Sequence, residues 1–398
     1  LEHLLPYPFE RLTALLDGIA PPEGVTPISL SLGEPRHAPP DFVAEILESG
    51  AADWGRYPPL RGTEQFRQAV ADWLAGRYAL PPDFIDADDN VLPVAGTREA
   101  IFMFALATVP GDGGDSGAPP LVLVPNPLYH VYAGAAVMAG AEPMYVAAGA
   151  EDGFLPDFAA LDAAALDRTA LAYLCSPANP QGAAAGADDL RVLIELAMAH
   201  DFVLAVDECY SEIYYADPPP GTLAAAAGLG ARAAEALEHV VVFNSLSKRS
   251  SVPGLRSGFV AGGRGLIAAF AKLRNFASVQ SPLPVIAAAA RLWRDEDHVD
   301  RSRRRYRERL EVAAEALDGH YGFYRPDGGF FLWLDVGDGE EAARRLWREA
   351  GVRVLPGSYL CPPGDELSRP GAGFIRLALV HEPDTIGEAL HRARRVLN

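Results

Sequence analysis

Residues 241–258 read VVFNSLSKRSSVPGLRSG, and the rest of the chain is organised around them. Three apolar β-formers, Val241, Val242 and Phe243, run into a polar turn with Ser245, Ser247 and Lys248, and Arg256 follows eight residues after the lysine. The lysine is conspicuous. Of 34 basic residues only Lys248 and Lys272 are lysine, and all the others are arginine. Arginine replaces lysine at most surface and ion-pair positions, but its pKa above about 12 keeps it from losing a proton and attacking a carbonyl. A lysine retained in such a composition is a candidate for amine chemistry, against the plainer alternative of a solvated side chain. Lys272, in the helical stretch AAFAKLRNF, is the internal comparison.

Length and composition bound the answer. A chain of 398 residues exceeds one small core, so two domains are expected. With 49% apolar and 22% charged residues it reads as an ordinary soluble globular protein. The net charge of −19 argues against nucleic-acid and anionic-membrane partners, which need a basic footprint. Cys175, Cys209 and Cys361 form no CxxC pair, which fits reduced thiols in a cytoplasmic protein and no zinc or disulfide framework. The first residues are broken by Glu2, Pro6, Pro8, Glu10 and Arg11 and do not read as a signal peptide. No run approaches the roughly 18 apolar residues of a membrane span.

Strands are expected at 91–94, 121–124, 170–174, 202–206, 240–243 and 257–261, with helices at 98–108, 131–139 and 188–200 between them. Such alternation argues for an α/β architecture with a doubly wound, mainly parallel sheet. Ligands then gather at the carboxyl ends of the strands. An amphipathic helix is expected within 54–78. From about 285 the pattern changes to α+β: a long Arg/Glu-rich helical region at 286–317, a hairpin in GFYRPDGGFFLWLDV, a strand at 373–380 and a final helix at 384–396. The division expected is an arm at 1–50 with part of a small domain, a large domain at 51–285 and the rest of the small domain at 286–398. The acidic Gly-rich loop 111–117 and the Ala-rich run 221–237 read as peripheral.

Chemistry collects at the strand ends. Residues 202–206 finish in Asp207, and 240–243 finish at Ser245 and Lys248. If the two strands are neighbours, a carboxylate and a lysine face one crevice, as a pyridoxal phosphate site requires: the lysine binds the cofactor covalently and the carboxylate keeps its ring nitrogen protonated. An acid at a strand end is otherwise a cap or turn former. Gly96-Thr97-Arg98 opens a helix whose free amides suit an anion, with Thr97 as the N-cap; Ser245 and Arg256 add a hydroxyl and a guanidinium. Tyr129 is placed to stack on a ring, and Asn179 to donate to a phenolic oxygen. Arg376, inside an apolar strand, needs a partner, either a substrate carboxylate or an internal acid.

SxxK followed by PGxR (Ser245, Lys248, Pro253, Gly254, Arg256), DECYSEIYY (207–215) and the NPxG turn (179–182) resemble the fold-type I, class I/II aminotransferases over nearly the whole chain. SLGEPRH, YPPLRG, NPLYHVYAGAAVMAGAEP and VLPGSYL are similar to one subgroup, the bacterial N-succinyldiaminopimelate aminotransferases of lysine biosynthesis. The resemblance implies a large domain with a seven-stranded, mainly parallel sheet, a smaller α+β domain, and a homodimer with shared active sites. It implies that Lys248 carries pyridoxal 5'-phosphate and shuttles a proton, that Asp207 pairs with the ring nitrogen, and that Asn179 and Tyr210 contact the phenolic oxygen. Tyr129 would stack on the ring. Gly96, Thr97, Arg98, Ser245 and Arg256 would hold the phosphate, with Tyr57 of the partner subunit. Arg376 and the backbone of Gly33 would bind the substrate α-carboxylate. Arg36, Arg61 and Arg249 are candidates for a distal carboxylate. Gln181 departs from the family's usual Thr, and Leu128 from the subgroup's usual Phe.

Other classes are disfavoured. No GxGxxG follows a strand, no G-x-S-x-G elbow is present, and a regulator would need a basic DNA-binding domain. Within the same cofactor class, an aspartate or aromatic aminotransferase and a C–S β-lyase remain alternatives.

Overall fold

A computed structural model describes residues 4–110, 118–277 and 280–398; the loop 111–117 lies outside them. Seven strands form the central sheet: β1 Val91–Val94, β2 Leu121–Asn126, β3 Glu142–Ala147, β4 Thr169–Cys175, β5 Val203–Asp207, β6 Val240–Ser245 and β7 Gly258–Gly262. They lie in the order β1-β7-β6-β5-β4-β2-β3. β7 runs antiparallel to β1 and β6, and the other pairings are parallel. This is the expected seven-stranded, mainly parallel sheet.

Both faces are covered. Val240 and Val242 belong to one apolar cluster and Val241 and Phe243 to another, because successive side chains point to opposite faces. The Ala-rich run is not peripheral. It forms the helices Thr222–Ala227 and Ala233–Glu238, which bury Leu223, Ala226, Ala236 and Leu237 in the first cluster. β3 has no counterpart among the expected strands: it is a half-buried edge strand opening Glu142-Pro143, where apolar alternation is weak and proline is tolerated.

The remaining strands build a smaller layer. β8 Phe331–Asp335 and β9 Leu355–Pro356 flank β10 Phe374–Ala378, both antiparallel. Ile28–Ser29 pairs with Val352–Arg353. Leu332, Leu334, Ile375 and Leu377 pack there with Leu30 and with the helices Gly339–Ala350 and Pro383–Leu397. The hairpin expected around residues 322–336 does not form, because the partner of β8 is β10, nearly forty residues away. Its Gly-Gly signal serves close approach instead: a Cβ on Gly328 would lie 2.7 Å from the Ile213 carbonyl. The single long helical region is two helices, Leu283–Arg294 and Asp297–Leu317. Among the described residues no helix is long and apolar enough to cross a membrane.

Candidate active site

Sheet order brings the chemistry together. β4, β5 and β6 are adjacent, with Cys175 opposite Asp207 and Asp207 opposite Phe243, so the Asn179 turn, Asp207 and the Lys248 turn leave one edge side by side. Lys248 sits on the short helix Leu246–Arg249, capped by Ser245, whose Oγ accepts from Ser247 N at 3.1 Å. The Ser245 hydroxyl therefore fixes the lysine's own turn, whatever else it contacts.

Lys248 Nζ donates to the Gly33 carbonyl at 2.6 Å and lies 5.2 Å from the centre of the Phe330 ring. Burial lowers its pKa, which favours the neutral, nucleophilic amine. Asp207 is 5% exposed. Its Oδ1 accepts from Cys209 N at 3.2 Å and its Oδ2 from the Tyr132 hydroxyl at 3.3 Å. Burial pushes the carboxyl up to about 6, against the opposing pull of these hydrogen bonds and of Lys248. Among the described residues no cation forms an ion pair with it.

On the far side Arg376, also 5% exposed, lies 4.2 Å over the Phe331 ring. Nη1 donates to Asn179 Oδ1 at 3.0 Å and Nη2 to the Ser31 carbonyl at 2.9 Å, while the buried Nε has no partner. Burial lowers its pKa to about 10. Among the described residues no carboxylate is paired with it, so the internal-acid alternative is not what the structure shows.

The anion cradle is compact. Gly96, at φ 89°, has space filled by the Arg256 guanidinium: a Cβ there would meet Nη2. Arg256 donates to the carbonyls of Pro253 at 2.9 Å and Ala95 at 3.0 Å. The N-cap of helix Thr97–Thr108 is Gly96, one residue earlier than expected, and Thr97 is its first residue. Arg98 departs from a pure phosphate role, since Nε donates to the Tyr129 hydroxyl at 2.7 Å and Nη2 to that of Tyr7 at 3.4 Å. Tyr210 is buried and packs edge-on against Phe330, and burial raises its pKa well above the usual phenol value, so its hydroxyl keeps its proton. Tyr57 is fully exposed.

The three distal candidates differ in how far they are engaged. Arg36 Nη1 lies 3.5 Å from His381 Nδ1, and Arg61 donates to the Asp88 carbonyl. Arg249 is buried, bound to the Leu292 carbonyl at 2.8 Å and to Glu296, and stacked on Trp293 and Trp73. It anchors the lysine turn and, at 1% exposed, presents no donor to a substrate. Gln181 is likewise structural, with Nε2 donating to the Ala148 carbonyl at 3.3 Å. Sequence reasoning missed Tyr132, Phe330 and Phe331. The FF pair had a signal in its Gly-Gly approach; Tyr132 had none.

A buried carboxylate with no ion-pair partner and a buried guanidinium with none both lie within electrostatic reach of the amine. This donor set fits pyridoxal phosphate, whose protonated ring nitrogen would meet Asp207 and whose phosphate would meet the Gly96 turn and Arg256.

Comparison with known proteins agrees. Residues 25–392 match the family described as aminotransferase class I and II. The LL-diaminopimelate aminotransferase of Maridesulfovibrio salexigens is 32% identical over 100% of this chain and 98% of its own length. An aminotransferase structure from Neisseria meningitidis superposes with a TM-score of 0.92 at 37% identity, covering 100% of this chain and 99% of that one. A probable N-succinyldiaminopimelate aminotransferase from Thermus thermophilus gives 0.83 at 26% identity, covering 98% and 99%. The chain belongs to the class I and II aminotransferases, enzymes that depend on pyridoxal phosphate.

Proposed function

We propose that the chain transfers an amino group between glutamate and the 2-oxo form of a diaminopimelate-class substrate, with N-succinyl-2-amino-6-oxopimelate as acceptor. The observation that carries the amino-acid reading is the pair of unmatched buried charges, Asp207 and Arg376, both within electrostatic reach of Lys248. Pyridoxal phosphate, when bound, supplies an electron sink that makes the substrate Cα–H acidic.

The chain's own residues do the rest. Lys248, held by the Gly33 carbonyl, would bind the cofactor and would move the proton at the substrate Cα. Asp207 stays ionised against the ring nitrogen, because a cation there reverses the burial cost. Arg376 would take the α-carboxylate and so orient the substrate Cα. Asn179, already bonded to Arg376, would link the carboxylate site to the cofactor site.

The acceptor rests on motif likeness within SLGEPRH, YPPLRG and VLPGSYL. A second reading, LL-diaminopimelate itself, is favoured by the name of the full-length relative from Maridesulfovibrio. Single-turnover reactions with glutamate, aspartate, phenylalanine, cystathionine, LL-diaminopimelate and its N-succinyl derivative separate these. The proposal expects the highest kcat/KM with glutamate and the succinyl derivative. A preference for the free diamine selects the second reading, and pyruvate with ammonia from cystathionine would select a lyase.

A further inference from the structure

A cavity of about 380 Å³ is lined by none of Lys248, Asp207, Arg256 and Arg376. Its walls are residues 37–42, Ser250 and the first turns of the helix Asp297–Leu317. One wall is cationic by helical period. Arg301, Arg305 and Arg309 recur every four residues and so share a face, with His298 and Ser302 beside them. Arg309 is paired with Glu382 at 3.4 Å. Arg301 and Arg305 have no hydrogen-bond or ion-pair partner among the described residues, although Asp297 and Glu308 are within a turn of them. Both side chains are exposed, so with Arg309 engaged by Glu382 they leave two free cations on one wall of the cavity.

The opposite wall supplies one neutral ring, His37. His37 Nε2 bonds to Ser302 Oγ at 3.1 Å, and its buried Nδ1 has no partner. Burial holds His37 and His298 down to about 4, so both rings are neutral at pH 7. His298 is fully used, by Asp295 at 2.6 Å and Ser250 at 2.8 Å. Asp41 is the carboxylate in the lining and opposes an anion. Two bonds lead from these walls toward the lysine. Ser251 Oγ donates to the His37 carbonyl at 2.7 Å, and Ser250 and Ser251 directly follow the Lys248–Arg249 pair. Gly33, four residues before His37, carries the carbonyl that receives Lys248 Nζ.

We propose that this cavity binds a compact polyanion, a polycarboxylate or a phosphate, between Arg301, Arg305 and His37, and that its occupancy is felt at Lys248. The coupling, though not the binding, rests on the active-site reading above.

Calorimetry of the holoenzyme at low salt, with citrate and separately with inorganic phosphate, tests it and tells the two sources apart. The expected result is saturable binding of at least one of them at one per chain in R376A, which lacks the active-site guanidinium that could otherwise take a carboxylate. It should weaken tenfold or more in R301A/R305A, whose residues are exposed and outside the catalytic machinery, so that basal activity stays unchanged. D41A should move the other way and tighten binding. The same ligand should shift the pH titration of the bound cofactor's visible absorbance in the parent protein and not in R301A/R305A. No saturable binding of either anion, or binding that R301A/R305A leaves intact, overturns the site; binding without a spectral shift overturns the coupling. Absence of any visible cofactor band would count against the Lys248 reading, and calorimetry would still judge the cavity.

Discussion

Asp207 is a carboxylate whose environment suits it only when something positive is bound. Its folded pKa near 6 lies above the ordinary value of about 3.9, so the fold disfavours the ionised form. The stability this group contributes is present below about pH 4 and is lost as pH rises through 6. For the apoprotein, D207N should therefore be stabilising at pH 8, on the order of 3 kcal/mol, and neutral at pH 4. Urea titrations at the two pH values measure this; equal stability of parent and variant at both would show that the carboxylate is not desolvated. The same variant should lose ~10²-fold or more in kcat with cofactor bound, because a neutral amide cannot hold the ring proton. At this scale the sequence was informative where a residue type was chemically irreplaceable, as with Lys248. It was silent where a common residue acquired its role by position alone: nothing in NPLYHVY distinguishes Tyr132, which reaches Asp207, from Tyr129, which bonds to Arg98.

The helical turn Leu246–Arg249 is the element that carries the lysine, and it is held from both ends. Ser245 caps it, and Arg249 pins it between Trp293 and Trp73 while bonding to Leu292 and Glu296. Truncating Arg249 leaves the buried Leu292 carbonyl without its donor and a void beside Trp73 and Trp293, while the half-exposed Glu296 returns to solvent. R249A should lower unfolding stability by about 3 kcal/mol, with R249K recovering little because lysine lacks the planar fork. Chemical denaturation checks this, and an R249A protein as stable as the parent would place the anchor elsewhere. Interior strands were legible as apolar runs at nearly their observed bounds. The failures were elements whose determinants are non-local: β3 is defined by pairing to β2, and β8 by β10, so neither local alternation nor the PDGG turn could identify them.

Across the whole molecule, the large sheet supplies Lys248, Asp207 and the Gly96 turn, and the smaller layer supplies Arg376 and the Phe330–Phe331 wall. Exposed apolar residues concentrate at Trp54, Tyr57 and Leu60, with Phe276 also exposed, and such surface favours association. A homodimer in which Tyr57 of the partner subunit completes each site makes a sharp prediction. Y57A and K248A proteins, each impaired alone, should regain activity when mixed and refolded, since the hybrid has one intact site. No gain on mixing would leave Tyr57 within its own site or outside it. Sheet class and cofactor were readable because they rest on period and residue chemistry, whereas a shared site depends on a second chain. The central claim is that Lys248, and not Lys272, carries the cofactor. Borohydride reduction of the intact holoenzyme followed by peptide mapping tests it most directly: the label is predicted on Lys248 and absent from K248A, while label on Lys272, or label retained in K248A, would contradict the account.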